Sequence, residues 1–193
     1  MPRLFTGLEV PPPVAMGLSG LRGGLSGARW ITPDQYHVTL RFFGDIDMAC
    51  AQALDELLAQ ALHPAFTLTI SGLRIFGGDR PRALVAEIHP HPDLLMLQAE
   101  QERMARRLGL DAQTRKFTPH ITLARLRDVS AYQVASFMSV AGGVPSLSFL
   151  VERCVLFSSR SGVGGGPYVI EATYPFGDDL YEEQEEWAHA DSA

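Results

Sequence analysis

Cysteine is nearly absent: Cys50 and Cys154 are the two in 193 residues. They are too few for a disulfide framework and lack metal-ligand spacing, so a reduced, cytoplasmic setting is expected. Lysine is scarcer still, with Lys116 alone against 15 arginines. No apolar run approaches the roughly 20 residues that span a bilayer. The start, Met1-Pro2-Arg3-Leu4-Phe5, has no basic segment leading into a long apolar stretch, so it does not read as a signal peptide. What remains, with 46% hydrophobic and 20% charged residues, is the composition of a globular chain long enough for one substantial core or for two small lobes sharing one.

The formal net charge of −6 is unevenly spread. Asp178, Asp179, Glu182, Glu183, Glu185, Glu186 and Asp191 lie in the last 16 residues, with no Lys or Arg among them. Removing these seven acids leaves 15 acids against 16 bases over residues 1–177, a balance of +1. The acidity therefore belongs to a tail, 178–193, expected to be a frayed helix or a disordered end. The near-neutral, arginine-rich body suits local bidentate phosphate contacts better than a broad cationic surface for duplex binding.

One four-residue phrase occurs twice, His37-Val38-Thr39-Leu40 and His120-Ile121-Thr122-Leu123. In a strand, His and Thr at i and i+2 share a face while the intervening apolar residues point into a core. Two such strands facing each other bring two imidazoles and two hydroxyls to one cleft, which is equipment for acid–base chemistry on a phosphate. The surrounding pattern predicts strands over 3–10, 36–44, 66–70, 83–88, 116–126, 147–158 and 168–174. Helices are predicted within 14–25 and over 47–62, 92–108 and 130–140, with Gly109 as a C-terminal cap. Strands outnumber helices and alternate irregularly with them, which argues α+β with a mostly antiparallel sheet. Each phrase strand is followed by a helix and a pair of strands. This predicts a single bilobal domain over 1–177, with pseudo-repeats near 36–88 and 120–174 and the phrase strands lining the groove between lobes.

Other histidines lack such a context. These are His63, His89, His91 and His189; His89 and His91 sit beside prolines in expected loops, and His189 lies in the acidic tail. His89-Pro90-His91 has no partner at convincing metal-ligand spacing. Gly162 to Gly166 lacks the Lys-Ser/Thr and following helix of a phosphate loop, so it reads as a flexible hairpin connection.

The paired phrases resemble those of the 2H phosphoesterase superfamily. Their flanks, Arg3-Leu4-Phe5-Thr6-Gly7-Leu8, Tyr36 to Asp45 with Arg41-Phe42-Phe43-Gly44, and Phe117-Thr118-Pro119 leading into His120 to Arg125, resemble the RNA 2′,3′-cyclic phosphodiesterase branch, also described as 2′–5′ RNA ligases. The resemblance covers about 3–176. It implies two mostly antiparallel sheets facing a central cleft with helices outside, no metal and no cofactor. It also implies hydrolysis of a 2′,3′-cyclic phosphate on RNA ends or small cyclic nucleotides to a 2′-phosphate. In that scheme His37 is the general acid, His120 the general base, and Thr39 and Thr122 bond the non-bridging oxygens.

Arg125 matches a family phosphate-binding arginine. Simple alternation puts it opposite His120, so it reaches the cleft only where the strand bulges or ends at Ala124. Arg41 has the parity of His37 and Thr39 and is a second candidate phosphate contact. Phe42, Phe76 and Phe117 could stack a base but also suit a core. Two other readings keep the same residues: 2′–5′ phosphodiester joining or cleavage, and a catalytically silent RNA-end-binding module. A monomer is the default expectation, with no membrane partner.

Overall fold

Backbone alternation and helix punctuation account for most elements of the computed structural model, which describes residues 3–143, 146–159 and 167–177. The acidic tail, His189 and the glycines at 162–166 lie outside the described residues. Strand β1 (Arg3–Glu9) leads into α1 (Pro12–Ser19), β2 (Ala28–Trp30), a 3-10 turn at Pro33–Gln35 and β3 (His37–Asp45). Then follow α2 (Met48–Ala59), β4 (Phe66–Phe76), β5 (Ala83–Ile88), α3 (Pro92–Arg107), β6 (His120–Leu126) and α4 (Ala131–Ala141). The chain continues through β7 (Ser148–Val151), β8 (Arg153–Ser159) and β9 (Tyr168–Pro175).

Local chemistry sets the helix ends. Asp47 caps α2 by accepting from the Cys50 amide at 2.8 Å, and Ser130 with Gln133 forms a capping box on α4. Gly109, at φ +74°, closes α3 as expected. Its amide reaches the Arg106 carbonyl and the Leu110 amide reaches that of Ala105, both at 3.0 Å, a Schellman ending. Helix α1 differs from expectation by starting inside the proline run. Pro12 and Pro13 fill the first helical positions, where a missing N–H costs nothing. Residues 147–158 form two strands rather than one, because β7 pairs with β4 whereas β8 pairs with β1. Strand β2 was not anticipated; three residues carry too little periodicity to be seen.

All strand pairs are antiparallel, in the order β7-β4-β5-β6-β3-β1-β8-β9, with β2 also on β6. The two expected sheets are the two halves of this path, and the phrase strands β3 and β6 meet at their junction through one residue pair, Val38 with Ile121. Exchanging β3 with β6 maps β1 onto β5 and β8 onto β4, so the topological repeat starts one strand and one helix before each phrase. Glu152 alone separates β7, the outer strand of one half, from β8 of the other half, so the halves are also joined there. Leu54 and Leu58 of α2, and Leu94, Leu97 and Met104 of α3, join the inward residues of the strands in one large core.

Candidate active site

The Val38–Ile121 pair places the two phrases head to tail. In that antiparallel register His37 falls opposite Thr122, and Thr39 opposite His120. All four line a cleft of about 710 Å³, together with Gln35, Phe42, Phe76, residues 112–118, Arg125 and Tyr168. The sequence-predicted His–Thr quartet is thus brought together.

A bulge then decides which neighbours join it. On β3 the register to β1 runs Thr39–Gly7 and then Arg41–Thr6, skipping Leu40. On β6 the register to β5 runs Thr122–Val85 and then Ala124–Leu84, skipping Leu123. The extra residue reverses side-chain parity beyond it. Arg125 consequently turns into the cleft, as the bulged reading required.

The same device removes Arg41, which simple alternation had offered as a phosphate contact. Arg41 is 4% exposed and points away from the cleft, where its Nε lies 2.7 Å from Glu102 Oε2. Its guanidinium also donates to the Phe42 and Asp111 carbonyls and sits 5.8 Å from the Phe43 ring centroid. Phe42 takes the position equivalent to Arg125, lining the cleft with 51% exposure. Phe76 and Phe117 line it as well.

Each catalytic-candidate imidazole is oriented by a backbone carbonyl two residues upstream. His37 Nδ1 donates to Gln35 O at 2.9 Å and His120 Nδ1 to Thr118 O at 2.7 Å. A carbonyl can only accept, so both nitrogens carry a proton and Nε2 of each ring is left for the cleft. Aromatic packing fixes the rings further. His37 lies 5.0–5.5 Å from the centroids of Phe5, Tyr168 and Phe157, and His120 meets Phe76 edge-on at 4.8 Å. Gly7 makes room, since a Cβ there would lie 2.9 Å from the Val38 carbonyl and 3.5 Å from His37 Cδ2.

This packing governs proton affinity. Burial lowers the His37 pKa to about 4, with the charges of His120 and Arg125 adding to the effect and the Gln35 carbonyl opposing it. Burial also lowers His120, again opposed by its carbonyl and assisted by Arg125. His37 is therefore neutral at pH 7 before an anion enters, and His120 is shifted in the same direction.

Gln35, Arg115, Lys116 and Tyr168 were not anticipated as cleft residues. The turn signal Pro33-Asp34 just before His37 was the available hint for Gln35, whose side-chain oxygen also accepts from the Tyr168 amide at 2.7 Å. Tyr168 arrives from a distant strand and left no local signal. The remaining described histidines have other partners. His63 pairs with Glu100 at 2.8 Å, while His91 caps α3 through the Asp93 amide and stacks on Phe66. His89 donates its backbone amide to the Thr69 carbonyl.

A family model of the 2′-5′ RNA ligase superfamily matches residues 10–162. A curated RNA 2′,3′-cyclic phosphodiesterase of Bacillus subtilis (strain 168) is 28% identical over 130 residues, covering 64% of this chain and 71% of that protein. One from Aeropyrum pernix is 30% identical over 99 residues, covering 50% of this chain. The matched region spans 56% of the length of that relative. Among solved structures, TT0787 of Thermus thermophilus superposes with a TM-score of 0.76 at 22% identity, covering 90% of this chain and 97% of that one. Escherichia coli LigT complexed with 3′-AMP gives 0.72 at 24%, covering 91% and 99%. These two likenesses establish a shared fold. With the family match running over most of its length, the chain belongs to the 2′-5′ RNA ligase superfamily.

Proposed function

We propose that the chain hydrolyses 2′,3′-cyclic phosphates on RNA ends or small nucleotides to 2′-phosphates, without a metal or a cofactor. The observation that carries this reading is the convergence of two carbonyl-oriented imidazoles and two threonines on one cleft. The names of the curated relatives support it. In the reaction a general base takes a proton from water, and the resulting hydroxide attacks phosphorus. The bond from phosphorus to O3′ breaks as a general acid protonates the departing oxygen. Thr39 and Thr122 donate to the non-bridging oxygens, and Arg125 supplies a positive charge where negative charge develops.

His37 acts as the acid and His120 as the base in this proposal, following the family resemblance. The acid then acquires its proton with the substrate, because the phosphate anion opposes the burial that keeps His37 neutral. One observation favours the reverse polarity: deep burial makes His37 hard to protonate. A diester with a p-nitrophenolate leaving group needs no acid, so the variant of the true acid regains activity on it and the variant of the true base does not. Incubation with adenosine 2′,3′-cyclic phosphate in excess EDTA tests the reaction itself. It is expected to yield 2′-AMP; 3′-AMP as the product, or dependence on metal, would overturn the reading.

We further propose a single bilobal unit over 1–177, acting as a monomer in the cytoplasm. The shared core and the junction of both halves at β3 and β6 support the single unit. Among the described residues, no helix is long and apolar enough to cross a membrane.

A further inference from the structure

Arg41 and Glu102 form an ion pair that the proposed chemistry leaves unused, and it is almost fully withdrawn from solvent, with side-chain exposures of 5% and 15%. Removing two charges from water is strongly unfavourable unless further hydrogen bonds offset it. Here those bonds run to the walls of the cleft. One arm of the guanidinium donates to the Phe42 carbonyl and the other to the Asp111 carbonyl. The second carboxylate oxygen of Glu102 accepts from the Gln113 backbone amide at 3.1 Å. The Gln113 side-chain oxygen, in the orientation that satisfies both its amide atoms, accepts from Arg41 Nη1 at 3.1 Å and from the Phe42 amide at 3.3 Å.

These contacts bind three pieces of chain. Glu102 sits on α3, Phe42 on β3, and Asp111 and Gln113 on the irregular stretch between Gly109 and His120. That stretch has no helix or strand of its own, yet Ala112 to Thr118 line the cleft, with Arg115 and Lys116 among them. The Schellman ending of α3 aims the chain, and the Arg41–Glu102 pair fastens it two residues later.

We propose that Arg41 is a positioning residue that holds the rim 111–116 and Phe42 in place around the substrate, acting from behind the cleft rather than on the phosphate. A planar fork is required, because two arms must reach carbonyls on different segments while Nε lies 2.7 Å from a carboxylate oxygen. Lysine has no such geometry. The kinetic part of the proposal rests on the cyclic-phosphate reading above, and the structural part does not.

Arg115 and Lys116 supply a readout that needs no activity, since trypsin cuts after both. The experiment compares wild type with Arg41→Met and Arg41→Lys, each checked for folding by near-ultraviolet circular dichroism. Cleavage sites and rates under limiting trypsin are read by mass spectrometry, and KM and kcat are measured on adenosine 2′,3′-cyclic phosphate. Both variants are expected to be cut after Arg115 or Lys116 about tenfold faster or more, as an opened segment should be. KM should rise about tenfold while kcat stays within about threefold, the mark of lost binding geometry rather than lost chemistry.

Unchanged cleavage and KM in folded Arg41→Met would overturn the proposal, as would full rescue by Arg41→Lys. If neither variant folds, Gln113→Ala, which removes the side-chain acceptor for Arg41 and Phe42 and keeps the backbone ties, must show the faster cleavage or the proposal fails. Faster cleavage in a protein whose wild type turns over no cyclic phosphate would leave the positioning role standing and remove the proposed function instead.

Discussion

Filling the cleft with an anion should draw a proton onto the protein, and the size of that uptake follows from the burial of His37. With a pKa of about 4, His37 carries a proton in roughly one molecule in a hundred at pH 6. A single negative charge about 4 Å from Nε2, at an effective dielectric constant near 20, favours the imidazolium by about 4 kcal/mol. That is equivalent to about three pH units and lifts the pKa to ~7. Binding at pH 6 should then take up about 0.9 proton per site. Adenosine 2′-sulfate is a suitable ligand, because its sulfate is a monoanion that does not itself titrate near pH 6. Titration calorimetry in buffers of different ionisation enthalpy gives the number directly from the slope of observed heat against buffer heat. The His37→Asn variant should bind with reduced uptake, the remainder belonging to His120, which faces the same anion. Binding with no uptake at pH 6, or an undiminished uptake in His37→Asn, would refute the argument that burial keeps this ring neutral until an anion arrives.

The same depressed pKa predicts acid lability. An unfolded His37 binds its proton below about pH 6.5 and the folded one only near 4, so stability rises with pH across this window and is lost as pH falls through it. The full interval is worth about 3 kcal/mol, and urea unfolding at pH 7 and 4.5 should show most of that loss in wild type and much less in His37→Asn. Gly7→Ala puts a Cβ 2.9 Å from the Val38 carbonyl and 3.3 Å from the Phe157 ring, so unfolding should be eased by about 1–3 kcal/mol, with turnover reduced as the His37 ring is displaced. Wild-type stability in Gly7→Ala would show that the wall yields. Arg125→Ala should raise the pKa of both histidines in a proton NMR titration, since its charge lowers each, and should weaken binding of adenosine 2′-sulfate. Unmoved histidine titrations would place the guanidinium elsewhere.

What could be read in advance was whatever depends on local periodicity. The two phrases alternate for only three or four residues, and that suffices to put His37, Thr39, His120 and Thr122 on one face and Val38 and Ile121 in the core. The α+β antiparallel class followed from the same patterns. Parity fails at the first bulge, and Leu40 and Leu123 sit at bulges. A bulge leaves no mark on local hydrophobicity, so parity offers Arg41 as a candidate phosphate contact although it lies behind the cleft, while Arg125 reaches the cleft only through the bulge. The aromatic box around His37 is built from Phe5, Phe157 and Tyr168, which are far apart in the chain and become neighbours only through the β3-β1-β8-β9 pairing. Sequence spacing contains no trace of that order. The split of residues 147–158 was hidden for the same reason, because it is set by which strands each half pairs with.

The central claim is that His37 and His120 work as one acid–base unit on one phosphate. Its most direct test is the rate of 2′-AMP formation from adenosine 2′,3′-cyclic phosphate by His37→Asn, His120→Asn and the double variant, each shown to be folded. Each single variant should lose roughly 10²–10⁴-fold in kcat. The double should be little worse than the worse single, as expected for groups that act together. Near-normal turnover by either folded single variant would contradict the claim.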